Sequence, residues 1–90
     1  MCQDIYLTYW TDPGHGWLEV SQEVLDLIGL KPEHFTKCSY RDGNRFFLEE
    51  DVDMPRFLKA AKEAGHATVL VQENEDEDDS FIRDLPSIHD

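Results

Sequence analysis

Asp42-Gly43 is the feature that most narrows what this chain can become. A tight hairpin turn needs positive φ, and glycine adopts it without the steric cost that a Cβ would bring. Strand-forming residues flank the pair, Cys38-Ser39-Tyr40 before it and Arg45-Phe46-Phe47-Leu48 after it. The pattern predicts a hairpin whose second strand runs straight into Glu49-Glu50-Asp51-Val52-Asp53, where four of five residues are acidic. A rigid hairpin would then deliver a block of carboxylates to one defined place.

The regions around the hairpin set the fold class. Ile5 to Trp10 is rich in β-branched and aromatic residues and predicts a strand, with Ile5, Leu7 and Tyr9 on one face and Tyr6, Thr8 and Trp10 on the other. Asp12-Pro13-Gly14-His15-Gly16 is turn chemistry, and Trp17 to Val20 predicts a short return strand with Leu18 and Val20 inward. Ser21 is placed to cap a helix carrying the apolar stripe Val24, Leu25, Leu27 and Ile28, which Gly29 and Pro32 end. Asp53 is the expected cap of a second helix, with Pro55 in its first turn and Met54, Phe57, Leu58 and Ala61 recurring at helical spacing until Gly65.

Ala67 to Gln72 is apolar nearly throughout and predicts an interior strand covered on both faces. Glu73-Asn74-Glu75-Asp76-Glu77-Asp78-Asp79 follows, six acids in seven residues, and self-repulsion predicts an acidic mobile loop over 73–79. Phe81-Ile82-Arg83 is expected to return as an edge strand, and Leu85-Pro86-Ser87-Ile88 to drape over the core. One domain over 1–90 is expected, of α+β class: a small, mainly antiparallel sheet of four to six strands with two short helices on one face. A ferredoxin-like arrangement embeds in that order if Trp17 to Val20 is an accessory strand.

Charge then constrains function. Twenty acids against 8 bases give a formal net charge of −12. Such a field repels phosphate and anionic lipid, so no direct nucleic-acid or membrane-surface binding is expected, and basic partners are favoured. Cys2 and Cys38 are too few for a disulfide framework; Cys38 is expected to pack as a small apolar residue and Cys2 to offer an exposed thiol. Met1 to Asp4 lacks the basic region of a signal peptide, and no apolar run reaches the length of a membrane span, which predicts a soluble, cytoplasmic protein.

Catalytic and metal chemistry find little support in the spacing. His15 sits on a glycine-flanked loop, where a histidine can approach a ligand closely, yet no nucleophile stands at an interpretable distance from it. Gly14-His15-Gly16 lacks the remaining residues of a phosphate cradle. His15, His34, His66 and His89 are scattered without HxxxH or CxxC spacing, and no glycine shapes an EF-hand turn in Asp76 to Asp79. The expectation is therefore no enzyme, no cofactor and no structural metal. The aromatics exceed what one face of a small sheet can bury, so an exposed Trp or Tyr beside carboxylates would serve as an interface anchor.

Three segments carry a resemblance: Asp12 to Val20, Ser39-Tyr40 with Gly43, and Phe47 to Asp53. They resemble a family of small phage- and plasmid-borne proteins with a GHGWL loop, an SY turn and a YLEED-x-D stretch. Phe47 stands where that pattern has tyrosine, and Val52 where cysteine is common. The resemblance covers roughly residues 5 to 65 and implies a mobile-element setting without implying an activity. The acidic segment after Gln72 is particular to this chain. By analogy of class alone, small acidic phage proteins are often inhibitors of restriction or CRISPR complexes, some of them DNA mimics.

Two functions are expected on these grounds. The first is a non-enzymatic inhibitor, anti-CRISPR or anti-restriction in kind, binding a basic surface of a host nucleic-acid-binding protein or complex. Glu49, Glu50, Asp51 and Asp53 would be its rigid part, and Glu73, Glu75, Asp76, Glu77, Asp78 and Asp79 its mobile part. The second is a protein- or ligand-binding accessory module using the loop of His15 and Trp17, with acidity serving solubility alone. Either would act as a monomer or homodimer.

Overall fold

The computed structural model describes residues 4–89. Strands β1 (Ile5–Thr11), β2 (Gly16–Ser21), β3 (Tyr40–Asp42), β4 (Arg45–Glu49) and β5 (Thr68–Glu75) form one sheet in the order β3-β4-β2-β1-β5. Helix α1 (Gln22–Ile28) follows β2, and α2 (Asp53–Glu63) joins β4 to β5. The pairs β1–β2, β2–β4 and β3–β4 are antiparallel, and β1–β5 is parallel. This is a small α+β domain with a five-stranded mixed sheet and two helices.

Removing β1 leaves β2-α1-β3-β4-α2-β5, with spatial order β5-β2-β4-β3 and every neighbouring sense antiparallel, which is the ferredoxin-like order. The extra strand is thus β1, inserted between β2 and β5, and not Trp17 to Val20. That insertion also explains the parallel pair. The crossover through α2 returns β5 in the same sense as β4, and β1 shares that sense.

Period-2 alternation sorts the sheet into two faces. Ile5, Leu7, Leu18, Val20, Phe46 and Leu48 pack against Leu25 of α1 and against Phe57 and Ala61 of α2, so both helices cover one face. Trp17 and Phe47 point to the opposite face, where Ile82 is buried against them and Trp10, Tyr40 and Leu85 complete a second cluster. Tyr6, on that same side of β1, remains 63% exposed.

Local signals explain most element ends. Ser21 Oγ accepts from Val24 N at 3.2 Å, and Gly29, at φ 84°, closes α1 with its N–H on Leu25 O. Pairing of Asp42 with Arg45 makes Gly43-Asn44 the two-residue hairpin loop, one step later than Asp42-Gly43. Gly43 has φ 62° and Asn44 is not at positive φ, the pattern of a type II′ turn with glycine first. Strand β3 starts only at Tyr40, because Ser39 is turned inward to bond Asp53 and Glu49.

Several expectations are corrected. Asp53 does not cap α2, whose cap position is Val52 without a side-chain bond. The stretch Ala67 to Gln72 yields the edge strand β5, because covering of a strand's faces and pairing of its edges are independent. Glu73 and Glu75 belong to β5 and are not loop; the strand's pairing with β1 outweighs their mutual repulsion, and Asp76 N still reaches Thr11 O at 2.8 Å. Phe81–Asp84 is a 3₁₀ turn capped by Ser80, not a strand. Cys38 is exposed instead of packed, since the loop before β3 faces outward there; Cys2 lies outside the described residues. The segment 85–88 does drape. Ile88 reaches the helix-side core, while Ser87 bridges to Tyr40 at the sheet edge. Among the described residues no helix is long and apolar enough to cross a membrane.

Candidate functional site

The expected carboxylate block Glu49 to Asp53 does not form one patch. Glu49 is buried, and its Oε2 accepts from Asp51 N at 2.9 Å and Val52 N at 3.3 Å, folding the turn that leads into α2. Glu50 accepts the Tyr9 hydroxyl at 2.9 Å. Burial, and then this bond and the charge of Glu50, push the Tyr9 phenol up to about 12. Asp53 is fully buried: its carboxylate accepts from Thr36 N, from Thr36 Oγ1 and from Ser39 Oγ, while Ser39 Oγ in turn accepts from Glu49 N. Of the four acids only Asp51 is exposed. The turn into α2 needs acceptors for its free backbone donors, and Glu49 supplies one for Asp51 N and Val52 N.

The second acidic run has the opposite fate. Glu73 and Glu75 alternate along the outer edge of the sheet and are exposed, and Glu77, Asp78 and Asp79 continue in the turn that follows. Asp76 is half-buried where β5 leaves β1. Alternate residues on a strand are about 6.6 Å apart, so Glu73 and Glu75 stand as neighbouring teeth of a fixed comb. Asp79 sits 4.0 Å from Arg83, a weak exposed contact.

A different constellation surrounds His15 and Trp17. Asp12 is buried at the end of β1, and its Oδ1 accepts from Gly14 N and His15 N, both at 2.9 Å. Its Oδ2 accepts from Ser80 N at 2.9 Å and Arg83 Nε at 2.6 Å, while Arg83 Nη2 donates to Oδ1 at 2.9 Å. The Arg83 guanidinium, helped by these backbone donors, holds the Asp12 carboxyl well below the usual carboxylate range, and Asp12 raises Arg83 in return. Arg83 also lies over the Trp17 ring, 5.4 Å from its centroid.

These contacts frame a cavity of about 330 Å³ lined by His15, Trp17, Cys38, Tyr40, Glu49, Asp51, Val52 and Arg83. The pairing Trp17↔Glu49 and the bond from Glu50 N to Gly16 O draw the His15 loop onto the acidic turn. His15, Glu49 and Asp51 thereby gather ligand atoms that all lie within 4.8 Å of one another. Trp17 is buried, and its indole Nε1 has no hydrogen-bond partner among the described residues. A second cavity of about 420 Å³ opens beside α2 between Leu7, Tyr9, Leu18, Met54, Leu58, Thr68 and Glu73.

Sequence reasoning placed His15 in a loop, Trp17 in the return strand and Asp51 in the acidic block, but did not join them; the structure leaves His15 and Asp51 exposed and buries Trp17. Sequence reasoning missed Asp12, Ser80 and Arg83 altogether. An Asp before Pro-Gly is a turn signal, yet nothing in the chain announces a partner 71 positions away. No protein-family model matches this chain, and no curated protein and no solved structure matches it.

Proposed function

We propose that this protein is a non-enzymatic, charge-presenting binding protein that occupies a basic, nucleic-acid-binding surface of a host defence complex, in the manner of an anti-CRISPR or anti-restriction inhibitor. Its setting would be the host cytoplasm during infection or transfer of a mobile element. The observation that carries this reading is the fixed edge comb of Glu73 and Glu75, continued by Glu77, Asp78 and Asp79. A groove lined with Lys and Arg attracts dense negative charge, and carboxylates held on a strand can fill it with little ordering cost. The same charges discourage two copies from pairing along β5, which leaves the edge open to a partner. Against an ordinary solvated surface, the reading makes a specific demand. A partner captured from bacterial lysate must be released by duplex DNA and by rising salt. A captured partner that resists both would overturn it.

A second reading rests on the unpaired indole N–H of Trp17 beside the cavity of His15. In it, the protein is an accessory module whose ligand enters that cavity, and acidity serves solubility. Binding that is insensitive to salt and lost on His15→Ala would select this reading over the first.

A further inference from the structure

We infer that His15, Glu49 and Asp51 form a binding site for one divalent transition-metal ion of the zinc class. The three residues come from separate places in the chain: the loop between β1 and β2, the end of β4, and the turn into α2. The strand register Trp17↔Glu49 brings those places together, which is why no sequence spacing announces the set. One imidazole nitrogen and two carboxylate oxygens lie within 4.8 Å of one another. Metal–ligand bonds of about 2.0–2.2 Å place tetrahedral ligands about 3.3 Å apart, so the set must close slightly around an ion. The side chains of His15 and Asp51 are exposed and make no hydrogen bonds among the described residues, so each can rotate inward.

Chemistry and support agree with that assignment. Two carboxylates neutralise a dication, and an added imidazole favours zinc-class ions over calcium or magnesium, which prefer oxygen throughout. Glu49 is buried and pre-oriented, because its Oε2 already accepts from Asp51 N and Val52 N. Trp17 lines the same cavity, and its buried indole N–H has no acceptor among the described residues. Three protein ligands leave the ion an open position for water or an anion. This site is independent of the carboxylate edge proposed to meet a partner.

The test is calorimetric titration of the full chain with Zn²⁺ alone, with Ca²⁺ and Mg²⁺ as competitors, and a Co²⁺ absorption spectrum to report coordination. One Zn²⁺ per chain is expected, weakened about tenfold or more by His15→Ala and by Asp51→Asn. Glu49→Gln, which keeps an acceptor for the turn, should do the same. Glu33→Gln/Glu63→Gln, which removes two exposed acids elsewhere, should leave the affinity unchanged. Because His15 is exposed, His15→Ala is a fair test even if Glu49→Gln fails to fold. Zinc binding that is indifferent to His15→Ala, or that Ca²⁺ displaces equally well, would reduce the set to a surface acidic cluster and overturn the site.

Discussion

Asp12 and Arg83, 71 positions apart, form a two-pronged ion pair in which Arg83 Nε and Nη2 lie 2.6 and 2.9 Å from the carboxylate oxygens. The pair ties the loop after β1 to the 3₁₀ turn that covers Trp17 and Phe47. Since Gly14 N, His15 N and Ser80 N share the same carboxylate, one side chain orders both sides of the cavity.

The first prediction concerns acid. The folded state holds the Asp12 carboxyl below its ordinary range, so its stabilising contribution is complete above the unfolded value of about 3.9 and is lost as pH falls below it. Asp12→Asn should melt at a lower temperature than the parent at neutral pH, and the gap should narrow as pH drops below about 4. Thermal melts across an acid series measure this. A gap that stays constant with pH would mean that Asp12 acts only through its shape.

Alkali tests the other shifted group. Folding raises the Tyr9 phenol from 10.0 to about 12, so the protonated form is the favoured one. The contribution is therefore whole below about pH 10 and disappears as pH rises through the folded value. Phenolate absorbance should show one tyrosine ionising late in the folded protein. Tyr9→Phe should remove that late step and flatten the alkaline loss of stability. Uniform ionisation of all the tyrosines near pH 10 would contradict the Tyr9–Glu50 bond.

Much of the fold was legible because its signals are local. Ser21, Gly29 and Gly43 each do what a single-residue conformational rule demands. Alternation in Ile5 to Trp10 was readable too, and the structure decided which face met the helices. What stayed hidden depended on pairs distant in sequence. Asp53 looks like a helix cap from its neighbours, but its partners are Thr36 and Ser39. Asp and Glu at 49, 50, 51 and 53 read as one charge block, and only their packing reveals three separate duties, for Glu49, Glu50 and Asp53, with Asp51 left exposed. A strand's place at the centre or edge of a sheet is likewise a tertiary choice, which is why β5 was misplaced.

Asp53 yields the third prediction. A helix cap would be worth about 1 kcal/mol. A fully buried carboxylate with three donors directed at it should cost more to remove, because each donor is left unpaired away from water. Asp53→Ala should lose about 2–4 kcal/mol in urea unfolding. A loss of about 1 kcal/mol or less would return Asp53 to the role of an ordinary cap.

Salt should stabilise the free protein. With a net charge of −12 and acids crowded along β5, self-repulsion opposes compactness until ions screen it. Raising salt to physiological strength shortens the screening length to about 8 Å, and the melting midpoint should climb over that range. A flat or falling midpoint would show that the local ion pairs, Asp12–Arg83 foremost, outweigh the repulsion.

The last prediction asks which acids meet a partner. Glu73 and Glu75 are held by the ladder between β5 and β1, whereas Glu77 and Asp78 stand in a turn. Side chains on a fixed strand lose less freedom on docking, so each should contribute more binding free energy than a turn residue of equal charge. Close, ordered contacts act mainly on dissociation, and peripheral charge acts mainly on association. Glu73→Gln/Glu75→Gln should therefore speed release of a basic partner, while Glu77→Gln/Asp78→Asn should chiefly slow its capture. Asp51→Asn serves as the comparison from the other acidic region, where Glu49, Glu50 and Asp53 are already committed to internal bonds. Substitution at Asp51 should leave both rates nearly unchanged. Equal and small effects from the strand pair and the turn pair would remove the carboxylate edge as the binding element, and a loss centred on Asp51 would move it to the cavity of His15 and Trp17.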